Sequence, residues 1–499
     1  MTSRKSATIG ILFGIFLAAM ENTVVVTALP TIVSHFKQVG LFFLPIAIAM
    51  IVSTITVPVA GRLSDLYGRR RFHLAGILFF IVGSCLCSRA ESMEQLVVFR
   101  AIQAVGVGAL MTLSFTMIAD LYPFEERAKM QGMIGGVWGL AALMGPPLGG
   151  LITSVFHWRG VFWVPVPLGI VSLIIIQRVW KDPPRKPRAA GPDVPGAVLL
   201  VVASAALLGA FSFASRGWSW TSPAVFGLLA LALALVPVLA VVERRAHDPF
   251  MAVDLFRRRL FWTGTLCSAL LAADMFCAIA YLPLFVQSVA GASPMMSGMV
   301  LTPMMLAWVT CSSAAGFLLL RLGYRVLAAG GSLLAVAGYL LLSRMDASST
   351  WWDAALGSTI VGAGLGFVMS PLLIAAQNSV GRERLGAATS LIQFCRSMAG
   401  ALGVAVAGTV MAATLAGYLA AHPNIRATPD EIVHPVMREK VLFNESQILR
   451  RIMAESLKPV FRIGLGAAAL AFLAALLLPA GRARDLRSAE ATRTPDSPA

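Results

Sequence analysis

The chain reads as an all-α polytopic membrane protein of fourteen spans. Three observations carry that reading. Of 499 residues, 58% are hydrophobic and 13% charged, with a mean hydropathy of +0.79, whereas a soluble chain would carry roughly 25% charged residues. Apolar runs of about 18 residues or more recur from end to end, each enough to cross a hydrocarbon core of about 30 Å. The basic residues between them are sorted by side.

In chain order the spans fall near 8–29, 41–60, 73–90, 96–119, 131–154, 160–178, 194–214, 222–242, 261–286, 295–318, 326–343, 352–377, 387–413 and 459–480, bounded by Gly, Pro and charge. The first lacks the short apolar core and small-residue cleavage site of a signal peptide, so it is expected to be retained as a span. An even number of spans places both termini on one side. That side holds 26 of the 40 Lys and Arg residues, while five short opposite loops carry one each (Lys37, Arg89, Arg159, Arg216, Arg344). The positive-inside rule makes the basic side cytoplasmic, with the chain in the cytoplasmic (inner) membrane. The formal charge of +16 is thus a topology signal, and nucleic acid is excluded as a partner. The lipid bilayer is the expected surrounding.

The spans divide six, two, six. Residues 1–180 make a first six-helix half; 181–259 hold two basic linkers around two extra spans; 260–480 make a second half; and 481–499 read as a disordered cytoplasmic tail. The loop 414–458 is the one sizeable exterior element. Val441, Leu442, Ile448, Leu449, Ile452 and Met453 recur there at helical spacing and predict an amphipathic helix on the outer membrane face. A periplasmic adaptor, if one exists, would meet the chain there. Gly61–Arg71 (GRLSDLYGRRR) after span two and Gly316–Arg325 after span ten share a Gly-x6-Gly spacing with trailing arginine. Two related halves point to a rocker-type secondary transporter.

Two acids, Glu21 and Asp274, stand inside apolar spans, where charge is costly and marks a transport or proton path. Glu21 lies 13 residues into span one, about 20 Å along a helix. A carboxyl at that depth, stripped of water, can exchange protons near neutral pH. Arg100 in span four is expected to neutralise or tune it where the helices meet. Asn22, Gln103, Gln393 and Asn378 are candidates for lining a cavity, or for hydrogen bonds between helices. In the Gly61–Arg71 stretch, Gly61 and Gly68 allow close helix approach and a tight turn. Asp65 can sit at a neighbouring helix N-terminus or beside an arginine. With Arg62, Arg69 and Arg70 it reads as a conformational latch. Gly145-Pro146-Pro147 and Gly149-Gly150 near the exterior end of span five predict a kinked, closely packed helix. The six cysteines read as packing residues. A P-loop, zinc-type His pairs and a serine nucleophile elbow are all missing from the sequence, so a multispan membrane enzyme is left as the distant alternative and no cofactor or metal is expected.

These motifs resemble those of the major facilitator superfamily. GRLSDLYGRRR is similar to its loop 2–3 signature, and Arg100-x-x-Gln103 with Gly106 and Gly108 to its arginine-bearing fourth helix, with Ala104 where glycine is usual. Gly132, Ala141 and Gly145 to Gly150 are similar to the antiporter signature of drug exporters. Ala19 to Ile32, with Glu21 where Asp is common, resembles the helix 1 motif of the fourteen-helix drug:proton antiporter branch. His157-Trp158-Arg159, Leu282-Pro283-Leu284 with Gln287, and Gly386 to Ser390 with Arg396 fit that branch. Leu44 and Ala49 replace its usual aromatic residues. The resemblance implies two six-helix bundles plus two central helices, exchanging protons for a small-molecule substrate by alternating access. Glu21, Asp274 and Arg100 would serve proton coupling, and the glycine-proline run would seal against leak. The expected cargo is a lipophilic, cationic drug or toxic compound. The alternative is a dedicated cargo such as a siderophore, peptide, lipid or metabolite.

Overall fold

A computed structural model describes residues 2–36, 44–155, 157–182, 193–214, 218–245, 253–292, 294–381, 384–421 and 446–479. The helices are α1 (Thr2–Phe36), α2 (Leu44–Tyr67), α3 (Arg69–Ser88), α4 (Met93–Leu121), α5 (Phe124–Val155), α6 (Gly160–Trp163), α7 (Pro165–Val179), α8 (Val194–Ala214) and α9 (Pro223–Arg245). They continue with α10 (Arg259–Ser288), α11 (Pro294–Met299), α12 (Leu301–Ser343), α13 (Trp351–Asn378), α14 (Leu385–Ala420) and α15 (Ser446–Leu476). Twelve helical stretches among the described residues are long and apolar enough to cross a membrane, α12 contributing two and α6–α7 acting as one. Helices α1 and α5, at 35 and 32 residues, stand in addition to those twelve.

Local chemistry sets the ends. Ser92 caps α4 by accepting from the Gln95 amide at 3.2 Å, Asp193 caps α8 by accepting from the Gly196 amide at 3.0 Å, and Thr350 and Asp353 form a capping box on α13. The stretch expected as a loop, Gly61–Arg71, is instead almost wholly helical. Helix α2 runs on through Asp65 to Tyr67, and α3 starts at Arg69. Only Gly68 breaks the path, at φ 115°, a conformation that costs glycine little. Gly323 does the same inside α12 at φ 78°, which is why spans ten and eleven read as one bent helix. The two Gly-x6-Gly segments therefore share their turn.

The cores fall into two groups. One spans Cys267 to Leu478 and contains Leu271, Phe285, Tyr339, Leu365 and Phe461. Others draw their buried residues only from Ala7 to Trp180. Glycine brings helices together in both: a Cβ on Gly106 of α4 would lie 2.5 Å from the Phe80 amide of α3, and one on Gly364 of α13 would lie 2.4 Å from the Gly331 carbonyl of α12. Across the groups, α2 packs on α14 and α5 on α12. The α8–α9 hairpin docks at the first seam, where Val57, Leu200 and Phe394 are buried together.

The connection expected to be exterior, 414–458, is shorter than expected. Helix α14 continues to Ala420 and α15 begins at Ser446, so Leu449, Ile452 and Met453 belong to the last spanning helix. They are buried in the second group's core with Phe285 and Val300, not laid on the membrane face. Val441, Leu442 and the 481–499 tail lie outside the described residues, as do residues 183–192 of the first basic linker and 246–252 of the second.

Candidate functional site: a locked seam, a cavity and two buried acids

At the basic face, the α2–α3 corner clamps the start of α14. The Gly386 and Ala387 amides donate to Asp65 Oδ1 and Oδ2 at 3.2 and 2.7 Å. A carboxylate there satisfies orphan N–H groups and meets the positive end of the helix dipole. Arg69 ion-pairs with Asp65 and holds Asp120 Oδ2 at 3.1 Å and Ser64 Oγ at 2.8 Å, all with under a twentieth of its side chain exposed. The approach is tight enough to need glycine: a Cβ on Gly386 would fall 2.4 Å from Asp65 Oδ1, and one on Gly61 2.3 Å from Ser390 Cβ. On the other seam Arg127 of α5 donates to Asn378 Oδ1 at the end of α13, at 2.9 Å. Arg62 is buried at the same corner, while Arg70 faces outward, donating its backbone amide to Asp182 and its side chain to the Gln177 carbonyl.

Deeper in, a cavity of about 60 Å³ lies between the groups. It is lined by Met50, Ser53, Thr54 and Val57 of α2, Val107, Gly108 and Met111 of α4, Trp138 of α5, Phe276 of α10, and Gln393 and Ser397 of α14. That volume holds a few waters, so admitting a compound requires the groups to part.

Glu21 is 3% exposed and ion-pairs with Arg100 of α4, itself 2% exposed. Arg100 also donates to Gln103 Oε1 at 2.9 Å and to the Pro45 carbonyl at 3.4 Å. Gln103 passes the chain on to Ser84 Oγ at 2.7 Å. Of the two roles open to Gln103, the structure shows the hydrogen bonding between helices: packed against Gly83 inside the first group, it supports Arg100 and is not among the residues lining this cavity. Asn378 likewise serves Arg127. Gln393 does line the cavity. Asn22 is on α1, but its side chain lies outside the described residues. Asp274 is 1% exposed, and neither carboxyl oxygen has a hydrogen-bond partner among the described residues. The Tyr339 hydroxyl donates to its backbone carbonyl instead.

Helix α5 is continuous through Gly145, Pro146 and Gly149. Gly145 and Gly149 are buried, and Gly150 has no atom within 4 Å of where a Cβ would sit. Sequence reasoning missed Ser84, Asp120 and Trp138, since an isolated polar or aromatic residue in an apolar helix gives no sign of which neighbour it meets.

Two groups of spanning helices around a shared cavity, clamped at one face, define a membrane transporter. The chain belongs to the Major Facilitator Superfamily, whose sequence profile matches residues 11–404. It is 35% identical over 98% of both chains to Multidrug resistance protein 3 of Bacillus subtilis (strain 168). It is 35% identical to Multidrug transporter protein MdtP of the same organism, over 81% of this chain and 74% of that one. Among solved structures, the human organic anion transporter MFSD10 (TETRAN) shares the fold at TM-score 0.66 and 17% identity, covering 95% of this chain and 99% of that one. The chain is a transporter and not an enzyme.

Proposed function

We propose that this chain exports lipophilic compounds from the cytoplasm in exchange for protons, by alternating access across the cytoplasmic membrane. The observation that carries the reading is the pairing of an inter-group cavity with a basic face closed by Asp65 on the α14 N-terminus. Export-type names among relatives support it: multidrug proteins at 35% identity, and at 30% the efflux pump dotC of Dothistroma septosporum. Adding α1 and α5 to the twelve spanning stretches gives fourteen, hence both termini in the cytoplasm, two six-helix halves and the α8–α9 pair between them. The clamped basic face is then the cytoplasmic gate, shut in this state. The Gly145–Gly150 run would serve as the exterior seal. An adaptor, where one is used, would meet the exterior ends of α14 and α15.

Both acids are candidates for the coupling proton, with Asp274 the better placed to carry it. A carboxylate buried without counter-charge or hydrogen bond is costly when ionised, so Asp274 would exchange a proton only in a state where water reaches it. Arg100 already answers Glu21. A preference for cationic cargo follows only if one of these acids is bared to the cavity in another state. The test uses inside-out vesicles carrying a proton gradient. Lipophilic compounds should collapse the gradient with wild type and not with Asp274→Asn. Collapse that survives in Asp274→Asn and fails in Glu21→Gln moves the proton to Glu21. Failure of every compound in wild type favours a dedicated cargo.

A further inference from the structure

The cavity wall contains no acid, and its charged neighbour is a cation. Arg396 lies on α14 between the lining residues Gln393 and Ser397. Its Nη1 donates to Gln393 Oε1 at 3.0 Å and its Nη2 to the Met369 carbonyl at 2.7 Å, and its Nε is buried without a hydrogen-bond partner. Among the described residues no carboxylate pairs with it; the titratable groups beside it are the thiols Cys267 and Cys395. This is the reverse of Arg100, whose charge Glu21 meets. Arginine can only donate, so the Gln393 oxygen must face it and the Gln393 amide nitrogen is left as a donor toward the cavity. Ser397 adds a hydroxyl. Around these donors the lining is apolar: Met50, Val57, Val107, Met111, Trp138 and Phe276.

We infer that Gln393 and Ser397, backed by the unneutralised Arg396, form a subsite for the anionic oxygen of an amphiphilic organic acid, whose apolar body lies on the Met111, Trp138 and Phe276 side. The inference rests on the export reading and names its cargo: lipophilic carboxylates and like anions, in place of cations. Charge-assisted hydrogen bonds are about twice as strong as neutral ones, and a half-buried guanidinium with no carboxylate partner among the described residues favours the ligand that supplies one.

The experiment is calorimetric binding of three compounds with one aromatic body, naphthylacetate, naphthylacetamide and naphthylethylamine, to the purified full chain in nanodiscs. Naphthylacetate should bind about tenfold or more tightly than the other two. Arg396→Gln should remove that advantage while leaving naphthylacetamide within about twofold. Gln393→Glu places a carboxylate beside Arg396 without changing size, and should turn the preference toward the amine even if Arg396→Gln fails to fold. Amine preference in wild type, or an acid preference that both variants keep, overturns the subsite and leaves the export reading standing. Binding of none of the three overturns the cavity as a site for such compounds. The vesicle gradient assay, run with other compounds, then judges export independently.

Discussion

Glu21 on α1 and Asp274 on α10 are both almost fully buried, at 3% and 1% exposure, and their surroundings are opposite. Glu21 belongs to a chain of polar groups that runs through Arg100 and Gln103 to Ser84 and ties three helices together. Asp274 has a tyrosine on its backbone carbonyl and, among the described residues, no hydrogen bond on its carboxyl. Depth in the membrane therefore does not by itself define a proton site. A charge answered by a buried partner is part of the framework, since removing either member strands the other. An acid left unanswered is free to change its protonation state at no cost to the packing.

Four measurements break or sharpen that comparison. Arg100→Gln strands Glu21 and is expected to lower stability by about 3–5 kcal/mol, read by thermal unfolding in detergent. Adding Glu21→Gln should recover most of the loss; no recovery would mean that Arg100 acts through Pro45 and Gln103 alone. Asp65→Asn weakens the cap on α14 and exposes Arg69 to Asp120 as its one carboxylate, costing about 2 kcal/mol. It should also broaden spin-label distances between the basic ends of α2 and α14. An unchanged distance distribution counts against a latch. Asp274→Asn keeps shape and should leave stability within about 1 kcal/mol while removing compound-driven gradient collapse. A large loss of stability there would show a partner for the carboxyl and undo the contrast. Gly150→Ala adds a methyl where no atom lies within 4 Å, so it should change stability by less than about 0.5 kcal/mol. Loss of transport at unchanged stability would show that α5 packs closely at Gly150 only in the other state.

The legible part of the site was its chemistry, and the illegible part its pairing. Asp65 announced itself through the glycines and arginines around it, because a short charged stretch between apolar runs is readable locally. Its ligands, the Gly386 and Ala387 amides, lie 321 and 322 residues away, and backbone groups carry no identity in a sequence. Gln103 and Gln393 look alike on paper, each a glutamine three residues from an arginine in an apolar helix. The first faces Ser84 inside one helix group and the second faces the cavity.

Composition and the order of apolar runs were enough to place the chain in a membrane as helices, because hydrocarbon admits only segments that satisfy their own backbone. The repeat and the two deep acids were likewise written in residue order. The structure alone decided that the GRLSDLYGRRR stretch is helical on both sides of Gly68, that Leu449, Ile452 and Met453 belong to α15, and that Arg100 has a counter-charge while Arg396 has none among the described residues. Those outcomes depend on which helix faces meet across hundreds of residues, and hydropathy, which reports how deep a side chain lies, does not report toward whom it points.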